Sequence, residues 1–273
     1  MVRLTKAEKI KIEKQKRLVK KAVIGGVSIG VLSVTALFVF VFQDVIYREV
    51  MHWFTKSPTT GVCLPENANS YGIDISSHQG RIDWSEVAIG VNLHNQTTVE
   101  EASIVKRVPV DFVFIKATEG ATHTDKRFEY NFRRAYEVGI QRGAYHYYKP
   151  RTSAHKQAAH FINTVDLFDD DLSPVVDIEE MAKGVSGQAL CDSLVVMLEL
   201  LEAHYDKKPI LYTYQSFWNT LISKDSRLIE YPLWIAQYDV TEPDIEASYL
   251  FWQFSCESCI LGIDGAVDLN LRP

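Results

Sequence analysis

Pro174-Val175-Val176-Asp177-Ile178-Glu179 is a short apolar run that ends in two acidic residues. Such a run is typical of a buried β-strand, and a spacing of two residues places both carboxylates on the same strand face. Because charged side chains are rarely buried without partners, this pair requires an explanation. One is catalytic: repulsion raises the pKa of one carboxyl, which stays protonated as a general acid while the other remains ionised. The alternative is a salt bridge or a helix cap at the strand end.

Short apolar runs of this kind recur through the C-terminal 200 or so residues, with helical patterns between several of them. The predicted strands are 71–75, 111–116, 143–148, 174–178, 209–213, 233–236, 249–254 and 267–269. The predicted helices are 128–138, which Gly139 ends, 153–165, which Ser153 begins, and 186–205. The alternation predicts a parallel sheet. Eight strands in about 200 residues predict an irregular α/β barrel, TIM-barrel-like but shorter.

Acidic residues are also associated with the first and last predicted strands. Asp74 follows the first strand and Asp268 follows the last. In a closed barrel these two strands are neighbours, and catalytic groups gather at the edge where the strands end. We therefore expect Asp74 and Asp268 to lie beside Asp177 and Glu179.

Six short motifs occur in order between Tyr71 and the C-terminus. They are Gly72-Ile73-Asp74-Ile75-Ser76 with Gln79-Gly80-Arg81-Ile82-Asp83-Trp84, Phe112-Val113-Phe114-Ile115-Lys116-Ala117-Thr118-Glu119-Gly120, Gly143-Ala144-Tyr145-His146-Tyr147, Asp177-Ile178-Glu179, Trp252-Gln253-Phe254 and Asp264-Gly265-Ala266-Val267-Asp268-Leu269-Asn270. In this order they resemble the lysozymes of glycoside hydrolase family 25. The connection between Trp84 and Phe112, which includes residues 92–98, is longer than the short helix usual in that family. We expect it to reshape one wall of the cleft.

The resemblance implies an irregular α/β barrel that hydrolyses the β-1,4 bond between N-acetylmuramic acid and N-acetylglucosamine in peptidoglycan. It implies that Glu179 is the proton donor, with Asp177, Asp74 and Asp268 as acidic partners in the cleft. Net retention of configuration is expected for such a family. Either a carboxylate or the substrate's own N-acetyl group can form the intermediate, and in the second route Asp177 would steady the acetamido group.

Six further side chains near predicted strand ends are candidates for substrate contact: Lys116, Tyr145, His146, Tyr212, Trp234 and Trp252. Aromatic faces suit the apolar C–H faces of sugar rings. Core packing explains both tryptophans equally well, an ion pair with Glu119 explains Lys116 equally well, and His146 is open to interpretation as an interior histidine. Since no second nitrogen or sulfur ligand lies at a useful spacing from His146, we expect no metal and no other cofactor.

The N-terminal part of the chain has a different organisation. Residues 22–42 are an uncharged apolar run long enough to cross a bilayer, and nine basic against two acidic residues precede it, which favours a cytoplasmic N-terminus. We predict a basic cytoplasmic tail at 1–21, a transmembrane anchor at 22–42, a membrane-proximal stalk at 43–70 and an extracytoplasmic catalytic domain at 71–273. A cleaved signal peptide is the alternative, although no small-x-small site follows the run.

The exported part of the chain is acidic. Nine of the 29 basic and two of the 35 acidic residues lie in the tail, which leaves 20 against 33 and a net charge of −13. Nucleic acid is therefore excluded as a partner, and binding to a wall polymer must depend on local hydrogen bonds and stacking. Four cysteines, Cys63, Cys191, Cys256 and Cys259, can form disulfides in this compartment or stay free. The last two lack the second Cys or His pair of a zinc site.

Two other function classes fit a barrel with acids at its strand ends. A non-catalytic peptidoglycan-binding module would keep the groove, but it has no need for four acids that are costly to hold together. A chitinase-like enzyme would need further aspartates before Asp177, and residues 172–176 contain none. The sequence therefore favours a muramidase.

Overall fold

A computed structural model describes residues 61–66 and 68–273. The predicted tail at 1–21, the predicted anchor at 22–42 and the predicted stalk up to residue 60 lie outside these residues. Within the described ranges, no helix combines the length and apolarity needed to cross a membrane. The backbone N–H of Val62 donates to Thr97 Oγ1 at 3.0 Å, and Cys63 pairs with Gln96. Residues 61–66, which we expected in the stalk, therefore pack as part of the folded domain.

Eight strands close into a barrel, as the apolar runs predict. The strands of the described chain are β1 (Ser70–Ile75), β2 (Ile89–Val91), β3 (Lys106–Val108), β4 (Phe112–Glu119), β5 (His123–Thr124), β6 (Gln141–Tyr147), β7 (Val175–Asp177), β8 (Ile210–Tyr214), β9 (Leu233–Ala236), β10 (Phe251–Ser258) and β11 (Val267–Arg272). Around the barrel the order is β1, β4, β6, β7, β8, β9, β10 and β11, and β11 pairs again with β1. Each of the eight predicted strands is a strand of this barrel.

The closing strand corrects the prediction of an all-parallel sheet. Strand β11 runs antiparallel to both β10 and β1, whereas the other barrel strands pair in parallel. Asp268 therefore stands near the beginning of its strand and not past its end. Because β11 is reversed, its beginning lies at the edge where the parallel strands finish, and Asp268 pairs directly with Asp74 across the β1–β11 ladder.

The barrel interior below the acids is filled by apolar side chains. The interior cluster consists of Phe112, Phe114, Leu172, Val175, Ile210, Tyr212, Trp234, Ala236 and Phe251. Phe114 stacks on Trp234 with ring centroids 4.4 Å apart. Gly72 lies so close to the Phe112 ring that a Cβ at this position would approach it to 2.3 Å. Inside a barrel of this size the side chains fill the centre and leave room for a ligand only at the open edge.

In the described residues, a larger apolar cluster and four α-helices surround the barrel: α1 (Phe128–Glu137), α2 (Ala154–Ile162), α3 (Gly187–Tyr205) and α4 (Gln215–Thr220). Helix α3 begins where the Ser186 side chain accepts a hydrogen bond from Ala189 N, and it ends at Asp206 in the left-handed region, φ 51°. The three predicted helices are present. No helix lies in the described connection 237–250 between β9 and β10, which makes the barrel irregular.

The long connection between β1 and β4 forms a small sheet of its own. Strands β2 and β3 pair in antiparallel fashion, and an isolated bridge between Ala88 and Leu261 attaches the hairpin to the β10–β11 connection. We expected this connection to reshape one wall of the cleft. Residues 85–111 do not line the acidic cavity described below, while Val99 lines the cleft beside residues 81–84, so the effect on the cleft wall stays a prediction.

A buried ion pair stabilises the opposite edge of the barrel. Arg142, near the start of β6, donates from Nε to Asp171 Oδ1 at 2.7 Å and from a terminal nitrogen to Oδ2 at 3.0 Å. A third guanidinium N–H donates to the Phe132 carbonyl, and the guanidinium carbon lies 3.9 Å from the centroid of the Phe132 ring. Both charged side chains are almost fully buried, so the pair depends on this complete set of partners.

Candidate active site

The barrel brings the four predicted acids to one cavity. Asp74 lies on β1, Asp177 ends β7, Glu179 follows it and Asp268 lies on β11. The cavity has a volume of about 250 Å³ and is lined by Asp74, Ser76, His78, Lys116, Tyr145, Tyr147, Asp177, Glu179, Tyr212, Trp234, Tyr238, Gln253 and Asp268. A larger cleft lies between residues 81–84 and α1 on the described surface, but its lining contains only two acids, Asp83 and Asp264.

Asp74 is held by two amide side chains. Its Oδ2 accepts hydrogen bonds from Gln253 Nε2 at 2.7 Å and from Asn270 Nδ2 at 2.8 Å. The carboxyl is only 8% exposed, and burial raises its pKa from an ordinary 3.8 to about 6, while the two amides act in the opposite direction and the charge of Glu179 adds to the rise. Asp74 therefore changes its charge in the mildly acidic range.

Asp177 and Glu179 differ in their contact with solvent. Asp177 is 5% exposed and its Oδ1 has no hydrogen-bond partner, whereas Glu179 is half-buried. Burial raises the pKa of Asp177 well above its usual range, and the negative charge of Glu179 raises it further. Burial also raises the pKa of Glu179, against the lowering effects of the Asp177 carboxyl and the Lys116 ammonium. The pair therefore retains a proton to a higher pH than free carboxyls do.

Asp268 and Lys116 complete the charges at the cavity. Burial raises the pKa of Asp268 well above its usual range, and the charges of Asp74 and Glu179 add to the rise. Lys116 Nζ contacts Glu119 at 2.7 Å and lies 4.9 Å from the centroid of the Tyr147 ring. The ion pair with Glu119 and the position of Lys116 at the cavity wall are thus both present.

Four of the six predicted substrate-contact residues line the cavity: Lys116, Tyr145, Tyr212 and Trp234. The structure contradicts the other two. His146 is 0% exposed and contacts Thr118 Oγ1 and Gln157 Oε1 between the barrel and helix α2. Trp252 is 3% exposed, and its Nε1 donates to the Gln237 carbonyl on the outer side of β10. Both residues follow or precede a cavity residue on their strand, so their side chains point to the opposite face.

Sequence reasoning missed several polar side chains of the site. Gln253 and Asn270 bind Asp74, while Tyr147, Tyr238, Ser76 and His78 line the cavity. A signal for Asn270 was available, because it lies two residues after Asp268 and must share its strand face. In the described residues, no group of three or more His, Cys, Asp or Glu side chains is arranged to hold a metal ion.

Comparison with known proteins decides the family. Residues 73–263 match the model of the glycosyl hydrolases family 25. The chain belongs to glycosyl hydrolase family 25. The resemblance of the six motifs is thereby confirmed, and the chain is a glycoside hydrolase of the lysozyme type.

Relatives of this family 25 protein are found in several bacteria. The uncharacterized protein YegX of Escherichia coli K12 is 33% identical over 253 residues, which cover 89% of this chain and 87% of that protein. Lysozyme M1 of Streptomyces globisporus is 32% identical over 212 residues, covering 73% and 66% of the two chains. The structure of a family 25 glycosyl hydrolase from Bacillus anthracis superposes with a TM-score of 0.64 at 27% identity, covering 79% of this chain and 94% of that one. The last similarity supports the barrel fold.

Neutralising Asp74 tests whether the four acids act as one cluster. The charge of Asp74 helps to raise the pKa of Asp177, so Asp74→Asn should move the basic limb of the activity profile toward lower pH. Asp268→Asn should act in the same direction. The pKa of Asp74 in the folded state is raised from 3.8 to about 6, so the wild-type fold loses stability as the pH rises through this window. Above the window, Asp74→Asn should be more stable than the wild type by roughly 3 kcal/mol at most. Full activity and an unmoved basic limb in both variants would exclude the two acids from the cluster.

Proposed function

We propose that this chain hydrolyses the β-1,4 bond between N-acetylmuramic acid and N-acetylglucosamine in peptidoglycan, with Glu179 as the general acid. The observation that carries the proposal is the convergence of four acids on one small cavity, in which the half-buried Glu179 lies two residues from the buried carboxyl of Asp177. A proton donor must reach the glycosidic oxygen. Glu179 has that access, and the buried Asp177 keeps a proton available within the pair.

The environment of Asp177 supports a role opposite the sugar's acetamido group. Asp177 lines the cavity, its Oδ1 is buried without a hydrogen-bond partner, and a buried carboxylate oxygen is a strong acceptor for an N–H group. In a substrate-assisted reaction the acetamido oxygen attacks the anomeric carbon and the nitrogen becomes positive, a change that Asp177 stabilises electrostatically. The leaving oxygen takes the proton of Glu179, and water then opens the oxazolinium ion with net retention. A covalent carboxylate intermediate gives the same stereochemistry.

Digestion of purified peptidoglycan with the full chain tests the proposed function. We expect new reducing ends that carry N-acetylmuramic acid, identified by mass spectrometry after borohydride reduction. Before that reduction, the first product should have the retained anomeric configuration. Reducing ends of N-acetylglucosamine would assign the other bond. Binding of the polymer without new ends would instead support the non-catalytic wall-binding module.

We also propose that residues 22–42 anchor the protein in a membrane with the barrel on the extracytoplasmic side. The support is the uncharged run of 21 residues preceded by nine basic residues. A reporter that is active only outside the cytoplasm, fused after Pro273, should be active, and the intact protein should fractionate with membranes. A soluble mature chain that begins after Phe42 would show a cleaved signal peptide instead.

A further inference from the structure

The two oxygens of the Asp74 carboxyl have different surroundings. Oδ2 accepts both amide hydrogen bonds, from Gln253 and Asn270. Oδ1 accepts none of the hydrogen bonds formed by the described residues, and it is not among the buried atoms without a partner. Since Asp74 lines the cavity, Oδ1 is the oxygen that retains access to it.

Aromatic donors fix the orientation of both amides. Trp234 Nε1 donates to Asn270 Oδ1 at 2.8 Å, and an indole nitrogen can only donate. The other end of the Asn270 amide, which contacts Asp74, must therefore be its NH₂ group. Gln253 Oε1 accepts from Tyr212 OH at 2.8 Å and from Tyr238 OH at 2.6 Å. Because an ionised carboxylate can only accept, the group that Gln253 turns toward Asp74 is its NH₂.

This arrangement decides where Asp74 can carry a proton. Two N–H groups point at Oδ2, so a hydrogen on that oxygen would meet them head-on. A proton that Asp74 takes up must reside on Oδ1. The cavity-facing oxygen is consequently a hydrogen-bond acceptor when Asp74 is ionised and a donor when it is protonated.

We propose that Asn270 and Gln253 are positioning residues that direct Oδ1 of Asp74 into the cavity as an acceptor for a hydroxyl group of the bound sugar. The two amides are in turn held in the donating orientation by hydrogen bonds from Trp234, Tyr212 and Tyr238. The ligand class rests on the proposed function, whereas the orientation of Asp74 rests on the hydrogen bonds alone. Glycan binding should then be tighter where Asp74 is ionised and weaker where it is protonated. The titratable and charged groups that share the cavity with Asp74 are Asp177, Glu179, Asp268, Lys116 and His78, so the pH midpoint is compared between variants that keep all of them unchanged apart from Glu179→Gln.

Glycan binding as a function of pH tests the proposal without turnover. The probe is a soluble tetrasaccharide of alternating N-acetylglucosamine and N-acetylmuramic acid, titrated by calorimetry onto full-length chains that all carry Glu179→Gln. Asn270→Asp replaces a donor to Oδ2 by a second carboxyl and makes Asp74 harder to ionise. We expect the pH midpoint of binding to rise by about one unit or more, as for carboxyls that share a site. The matched control is Asn131→Asp, the same amide-to-acid change at a buried position of α1 that does not line the cavity. It should leave the midpoint unchanged even if it lowers the melting temperature.

A second variant covers the case in which Asn270→Asp does not fold. Trp234→Phe keeps an aromatic ring beside Phe114 but loses the indole N–H, so the Asn270 amide can turn over, and the midpoint should rise by a smaller amount. Three results would overturn the proposal. They are an unmoved pH midpoint in folded Asn270→Asp, an equal shift of the midpoint in Asn131→Asp, and no binding of the tetrasaccharide at any pH. If the wild-type chain fails to cut peptidoglycan but the variants shift binding as expected, the proposed function fails and the positioning role stands.

Discussion

Replacing Glu179 with glutamine is expected to lower the rate of peptidoglycan hydrolysis at least ~100-fold, the usual contribution of a general acid. Glutamine keeps the shape of the side chain and its place at the cavity but cannot donate the proton to the leaving oxygen. Glycan binding should stay close to that of the wild type. The melting temperature should be unchanged or higher, because the substitution removes one charge from a crowded acidic cavity. Turnover, binding and thermal unfolding are measured side by side.

The neighbouring Glu180 supplies the matched control. Glu180 is exposed, forms an ion pair with Lys149 at 3.3 Å and does not line the cavity. Glu180→Gln therefore makes the same chemical change one residue away and should retain nearly full activity. If both variants lose activity equally, or if Glu179→Gln loses stability in proportion to its activity, Glu179 has a structural role.

Removing Asp171 is expected to destabilise the fold by roughly 3–5 kcal/mol, because Asp171→Ala leaves the guanidinium of Arg142 buried without its bidentate partner. Asp171 Oδ2 also accepts a hydrogen bond from Phe168 N at 2.7 Å, which the substitution removes as well. Denaturant unfolding measures the loss. Activity per folded molecule should be retained, since neither residue lines the acidic cavity.

Two further variants distinguish the loss of the buried ion pair from a general disturbance of the fold. Replacing both partners, as in Arg142→Met with Asp171→Leu, removes the unpaired charge and should recover much of the stability. Asp192→Ala breaks the exposed pair with Arg227, whose side chains are about half exposed, and should cost no more than about 1 kcal/mol. A loss for Asp171→Ala no larger than that for Asp192→Ala would contradict a stabilising role for the buried pair.

The strands of the barrel were predictable because each is a short apolar run between polar connections. The direction of β11 was missed because the predicted strands 249–254 and 267–269 leave residues 255–266 between them, which is just enough for a parallel crossover. In the structure β10 continues to Ser258. Only residues 259–266 separate β10 from β11, and a crossover that returns a strand in parallel needs a dozen residues or more. The connection, with left-handed Gly262 and Gly265, is long enough only for an antiparallel return.

The four acids were predictable because charged side chains are rarely buried without partners, so carboxylates at the ends of buried strands indicate a shared site. The errors at His146 and Trp252 have one cause: each stands next to a cavity residue, and a strand reverses the side-chain direction at every position. Gln253 and Asn270 escaped notice because an uncharged amide carries little signal by itself. Their importance depends on hydrogen bonds to Asp74 from the far end of the chain, which the motif spacing does not reveal.

The pairing of β1 with β11 also determines when the acid cluster can form. Asp74 and Asp268 are direct partners in this ladder, and Gln253 and Asn270 also belong to the last two strands. During synthesis, Asp177 and Glu179 are complete long before the opposite wall of the cavity exists. The nascent chain therefore lacks a competent site until β11 has emerged and closed the barrel. A truncation before Val267 would remove Asp268 and the Asn270 partner of Asp74, so hydrolysis of the glycan requires the closing strand.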